Sequence, residues 1–107
     1  MAQFDIHRNM GKAKAVVPYL MLLQSSRFDK SPHRIVAPLP LGELFRVEHP
    51  DLHPSFMIEG RTVVMDPLRL FSAPYSGLGE LVGKLSDYND GTRAMNAVDI
   101  VLSRAFG

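Results

Sequence analysis

The 107-residue chain contains no cysteine and no tryptophan. Without cysteine there is no disulfide, no thiolate metal site and no cysteine nucleophile, which fits a reducing cytoplasm. Net charge is nearly absent as well. Twelve Lys+Arg against 11 Asp+Glu leave +1, so no general attraction to nucleic acid or an anionic membrane is expected. What imbalance exists is local: residues 1–50 hold seven basic and four acidic side chains, residues 51–107 five and seven. Long apolar runs are missing too. The stretch Ala15 to Leu23 falls short of the roughly 20 residues that a bilayer span needs. Arg8, Lys12 and Lys14 ahead of it imitate a secretory signal, but Gln24-Ser25-Ser26-Arg27-Phe28 is a poor cleavage site, so a buried strand is the expectation. There is no Gly-rich phosphate loop, nucleophile elbow, paired zinc-finger spacing, internal repeat or linker. The length fits one domain with a modest core.

What is present is a series of short strand patterns followed by one long helical pattern. Gln3 to Arg8 alternates apolar and polar residues, as a half-buried strand does. Val16 to Leu23 reads as a central strand whose first part, with Pro18, lies at an edge or bulge. Arg34 to Leu39 is a third strand, closed by Pro38 and Pro40. Gly42 to Val47 fits either a helical turn or a short strand. Ser55–Glu59 and Arg61–Asp66 flank Gly60 in a hairpin pattern, and Leu70 to Ser76 forms another strand demoted at Pro74. Leu78, Leu81, Val82 and Leu85 read as a short helix. A longer helix starts between Ser86 and Asp90 and runs to the end, with Ala94, Val98, Val101, Leu102 and Ala105 on its apolar face. Gly91 costs this helix about 1 kcal/mol relative to Ala. Strands first and helix last, without alternation, predict a small antiparallel sheet or barrel carrying a C-terminal helix.

Candidate chemistry is sparse. His49, Asp51 and His53 alternate between Pro50 and Pro54 and so could share one side of an extended segment. A metal site needs three or four converging ligands, and nothing elsewhere completes the set, so a polar loop is expected. His7, His33, Arg8, Arg34 and Arg61 supply proton-transfer and phosphate-clamping groups for RNA cleavage, yet no spacing ties them together. Met21, Met57, Met65 and Met95 sit at periodic apolar positions and read as core filling.

Several collinear matches resemble the CcdB family of plasmid-addiction toxins. They are Gln3-Phe4, Gln24-Ser25, Asp29, Pro32, Arg34-Ile35-Val36-Ala37-Pro38-Leu39, Leu52-x-Pro54 and Ile58. They continue with Ser72-x-Pro74-x-Ser76, Gly79-Glu80, Val82, Leu85-Ser86 and Asn96-Ala97-Val98. The resemblance implies a mainly β fold, a small SH3-like antiparallel barrel of the CcdB/MazF type with a C-terminal α-helix, in a single domain over residues 1–107. It implies a cytoplasmic homodimer that binds the A subunit of DNA gyrase and traps it on cleaved DNA, without catalytic residues, metal or cofactor. A CcdA-like antitoxin, partly disordered, is the implied neutralising partner. By position, the implied gyrase-binding residues are Ser25 and Phe28 after the second strand, and Asp99, Ser103, Phe106 and Gly107 on the last helix. The family's Trp-Gly-Ile tip is absent: either Ser103-Arg104-Ala105 stands opposite it, or Phe106-Gly107 replaces its Trp-Gly. Asp99 stands where the best-known toxin has a neutral Asn. Two alternatives accompany this reading: a MazF- or Kid-like endoribonuclease on the same fold, and a relative that no longer poisons gyrase.

Overall fold

The structure is a computed structural model that describes residues 2–24, 30, 32–47, 49–85 and 88–104. Five strands form one antiparallel sheet: β1 (Asp5–Asn9), β2 (Tyr19–Leu22), β3 (His33–Leu39), β6 (Phe71–Pro74) and β7 (Leu78–Lys84), in the order β6-β3-β2-β1-β7. β4 (Ser55–Ile58) and β5 (Arg61–Val64) make a separate hairpin, and α1 (Tyr88–Arg104) is the helix. This mostly β plan with a final helix is the one that the sequence predicts.

β2 is the middle strand and is buried along its whole length. Its period of two divides the core between both faces of the sheet. Tyr19 and Met21 join Ile6, Ala37 and Leu39 in the larger cluster, which is closed by Phe56, Ile58 and Val63 of the hairpin and by Ala94, Ala97 and Val98 of α1. Leu20 and Leu22 join Val36 and Ala73 on the other face. Pro18 precedes the strand instead of opening it, and its carbonyl accepts from Asn9 N at 2.9 Å. Pro38 lies inside β3 and pairs with Leu20. Its carbonyl accepts from Asp66 N, away from β2, so its missing N–H is not needed in the β2–β3 ladder.

Three local expectations change. Residues Leu78 to Lys84 are the edge strand β7, not a helix. Leu78, Leu81 and Val82, spaced as on a helix, share no face: Leu78 packs with Leu20 and Leu22, Val82 with the larger cluster, and Leu81 is exposed, while the pairing of β7 with β1 shifts register twice and breaks the period of two. Gly79 and Gly83 also disfavour helix. At Gly79 the close approach is specific: a Cβ there would lie 2.8 Å from Met10 Sδ and 3.1 Å from Arg8 O. Among the described residues of α1, Gly91, Ala94, Ala97 and Val98 are buried, while Leu102 is exposed. The helix meets the sheet on small side chains, so its seam is narrower than the apolar periodicity suggests. Met21 and Met65 are buried as expected, but Met57 is exposed on the hairpin. Gly42–Leu44 resolves as a short 3-10 turn.

Phe4 determines where the helix sits. It has φ 70°, its N–H donates to Leu22 O at 2.7 Å and its carbonyl accepts from Leu85 N at 3.2 Å. That left-handed residue delays β1 to Asp5 and puts the ring under the first turn of α1. A Cβ added at Gly91 would lie 3.1 Å from Phe4 Cε2, which accounts for a glycine where helix propensity favours almost anything else. The variant Gly91→Leu is therefore expected to lose about 1–3 kcal/mol in urea unfolding through overpacking, despite its better helix propensity. Equal or greater stability would show that the helix does not rest on Phe4.

Candidate functional site

Helix α1 is held by buried residues from Gly91 to Val98 and leaves Asn96 and Asp99 exposed. Arg93 makes the tie: Nη1 donates to Asp90 Oδ1 at 3.0 Å, Nη2 donates to Ser55 O at 3.2 Å, and the guanidinium lies 5.2 Å from the centre of the Phe56 ring. Gln3 Nε2 donates to Leu23 O at 2.9 Å and approaches Met95 Sδ at 3.9 Å. Between the helix and the turn at residues 49–54 runs a cleft of about 370 Å³. Pro50, Pro54 and Ile100 give it apolar sides, and Asp51, Arg93, Asn96 and Asp99 give it polar ones. Asp99 is exposed.

Of the six residues expected to carry function, Asp99 thus falls on an open, shaped surface. Ser103 belongs to the last turn of α1, with only its backbone described. Ser25, Phe28, Phe106 and Gly107 lie outside the described residues. Sequence reasoning missed Asp51 and Ile100 as neighbours of Asp99. The signal available was the helical spacing of Asn96, Asp99 and Ile100, which places them along one side.

The histidine-rich turn does not form a ligand set. Leu52 N and His53 N both donate to His49 O, which winds residues 49–53 into a turn instead of an extended segment. His53 is consequently buried, while His49 and Asp51 are exposed. His53 Nε2 sits 3.7 Å from Asp66 Oδ1, and its ring packs 5.1 Å from that of Phe45. Asp66 is committed to structure: it caps the following 3-10 turn through Leu68 N at 3.2 Å and accepts from Arg69 Nη1. Among the described residues, no group of three His, Cys, Asp or Glu is placed to hold a metal.

The basic residues that could cut RNA are dispersed. His7 is buried, with Nδ1 3.0 Å from Gly79 O. Arg34 is buried in β3 behind an exposed His33. Arg8 and Arg61 do come together, around Glu59 and Tyr19. Arg8 Nη2 donates to Glu59 Oε2 at 2.8 Å, and Tyr19 OH donates to Glu59 Oε1 at 2.7 Å. Glu59 has φ 52° and Gly60 φ 74°, a turn that strongly favours Asn-Gly or Asp-Gly. The carboxylate's two bonds compensate for the backbone strain, and they latch the β4–β5 hairpin onto β1 and β2. They hold the Glu59 carboxyl below its ordinary value of 4.5, first through Tyr19 and then through Arg8. Burial and the Glu59 hydrogen bond push the Tyr19 phenol up.

The family profile described as CcdB protein matches residues 3–103. Among solved structures, the chain is similar to an endoribonuclease in complex with its cognate antitoxin from Mycobacterial species, with a TM-score of 0.75 at 10% identity. That likeness covers 96% of this chain and 95% of the other, and shows the shared fold. No curated protein matches the sequence.

The latch gives a signed pH dependence. A carboxyl with a lowered folded pKa contributes stability that is complete above its unfolded value and is lost as pH falls through the folded one. Thermal unfolding of the native chain should therefore fall off more steeply below about pH 4.5 than that of Glu59→Gln. Parallel acid limbs for the two proteins would show that the latch does not form in solution.

Proposed function

The chain belongs to the CcdB family, and on that premise we propose that it is the toxin of a type II toxin–antitoxin pair. It acts by binding the A subunit of bacterial DNA gyrase in the cytoplasm. The observation that carries this reading is the family match over residues 3–103. The residues proposed to contact the target are Asp99 and Ser103 on α1, together with Phe106, Gly107, Ser25 and Phe28. In this reading the protein is a homodimer, needs no cofactor and performs no chemistry; it inhibits by occupying the enzyme. A CcdA-like antitoxin neutralises it. An antitoxin partner also agrees with the structural neighbour, which was solved with its own.

The seating of the helix supports a surface mechanism. Arg93 and the buried Ala94, Ala97 and Val98 fix α1, leaving Asn96 and Asp99 open to a partner. A rigid element with exposed polar residues beside an apolar-sided cleft is suited to protein recognition. The exposed Asp99 puts a carboxylate, which only accepts hydrogen bonds, where the best-known toxin has an amide, so it suits a donor or cation on the target.

The alternative, an endoribonuclease, draws on the name of the structural neighbour. The dispersal of the basic residues speaks against it. A general base must reach the proton it removes and the phosphate clamps must face the same point. His7 is buried against Gly79, while Arg8 is engaged by Glu59.

Supercoiling by the host's gyrase should be inhibited by the native chain at micromolar concentration or below. Asp99→Lys should raise the half-inhibitory concentration at least ~10-fold, about 1.4 kcal/mol, while changing stability by no more than about 0.5 kcal/mol, as usual for a surface site. Full supercoiling in the presence of folded native protein would reject the gyrase reading. Undiminished inhibition by the variant would remove Asp99 from the surface.

A further inference from the structure

The cleft of about 370 Å³ beside α1 has two walls from separate parts of the chain, the helix and the turn at residues 49–54. Both walls are fixed. Leu52 N and His53 N close the turn on His49 O, and the buried His53 anchors it by packing on Phe45. Ala94, Ala97 and Val98 seat the helix, and Arg93 fastens it to Ser55 O. A second hollow of about 260 Å³ shares Asp51 and Ile100 with the cleft and adds His49 and Leu52 to its lining. The two are continuous at the shared residues, so the cleft has room beyond its own volume.

Each wall contributes one carboxylate to the lining, Asp51 from the turn and Asp99 from the helix, and both residues are exposed. Among the described residues, no hydrogen bond or ion pair engages either side chain. Two ionised carboxylates offer only acceptors, so they repel and cannot satisfy each other. Arg93 lines the cleft as well, but its charge is matched. Its Nη1 donates to Asp90 Oδ1 at 3.0 Å and its Nη2 to Ser55 O at 3.2 Å. The uncompensated charge of the lining is therefore negative, and Pro50, Pro54 and Ile100 beside it are apolar.

We propose that this cleft receives a basic side chain of the protein target, its charged head between Asp51 and Asp99 and its methylene stem against Pro50, Pro54 and Ile100. Lys and Arg carry a charge on an aliphatic stem and match a lining of both kinds. An anionic or purely apolar occupant would instead leave two carboxylates desolvated and unpaired. Bridging waters complete the fit where the head does not reach both acids directly. Asp51 is thereby a specificity-determining residue that lies outside α1. That the occupant belongs to a target protein rests on the toxin reading above; the cationic chemistry of the cleft does not.

The probe is the peptide acetyl-Ala-Arg-Ala-amide, titrated to millimolar concentration into the isotope-labelled full chain and followed by backbone amide shifts. Its control carries citrulline, a neutral urea of the same shape, in place of Arg. Saturable shifts are expected at Asp51, Leu52, Asn96, Asp99 and Ile100 with the Arg peptide alone. Asp51→Asn and Asp99→Asn should each weaken binding about 3- to 5-fold, as the loss of one exposed ion pair does, and the double variant should abolish saturation. Neither carboxylate holds another described residue in place, so thermal unfolding should not fall in any of these variants. Equal shifts with citrulline, no saturation with Arg, or undiminished binding by either single variant would overturn the proposal. In the supercoiling assay Asp51→Asn should raise the half-inhibitory concentration by a similar factor. Undiminished inhibition by Asp51→Asn would overturn the proposal and leave the gyrase reading standing. No inhibition by the native protein, with the Arg peptide still bound in the cleft, would reject the gyrase reading alone.

Discussion

The ring of Phe4 against Gly91 is the contact on which the seating of α1 depends. The first turn of α1 rests there, 3.1 Å from where a β-carbon would be. Because Phe4 is also hydrogen-bonded to Leu22 and Leu85, the helix is referenced to β2 and to the end of β7 at once. Two small residues, Ala94 and Ala97, then let the helix lie close on the sheet, and Arg93 fastens it to β4 through Ser55 O. The outer side of α1 is thereby held rigid without spending Asn96 or Asp99 on packing.

The hairpin obeys a related constraint. The β4–β5 pair is a separate sheet, and a two-stranded hairpin is marginal on its own. Its inner side chains Phe56, Ile58 and Val63 enter the main core. Its tip is fixed by the Glu59 carboxylate between Tyr19 and Arg8. Arg8, which would suit phosphate chemistry, is thus part of a structural latch.

Much of the fold is legible in the sequence, and the failures have physical causes. β1 to β6 show in alternation and in their Pro and Gly punctuation, and α1 in its period and its start signals. β7 imitates a helix by the spacing of Leu78, Leu81 and Val82, but in the strand, whose register shifts twice, Leu78 and Val82 pack in different clusters and Leu81 is exposed. The turn at 49–53 reads as extended because prolines flank it, whereas two N–H groups converge on His49 O. Leu102 reads as part of the helix seam because hydrophobicity alone cannot say how far along its length a helix stays in contact. The latch is invisible, since it joins Tyr19 to a residue 40 positions away and relies on a left-handed Glu59. Asp99 comes from the family resemblance, and the cleft beside it needs the fold.

On the proposed reading, the protein acts by occupying a protein target and not by cutting RNA. Induced expression in the host, with DNA breaks trapped on gyrase and RNA integrity measured in the same cells, tests this most directly. Growth arrest with gyrase-linked DNA cleavage is predicted, while bulk RNA stays intact. Fragmented RNA appearing first, with no gyrase-linked breaks, would contradict it.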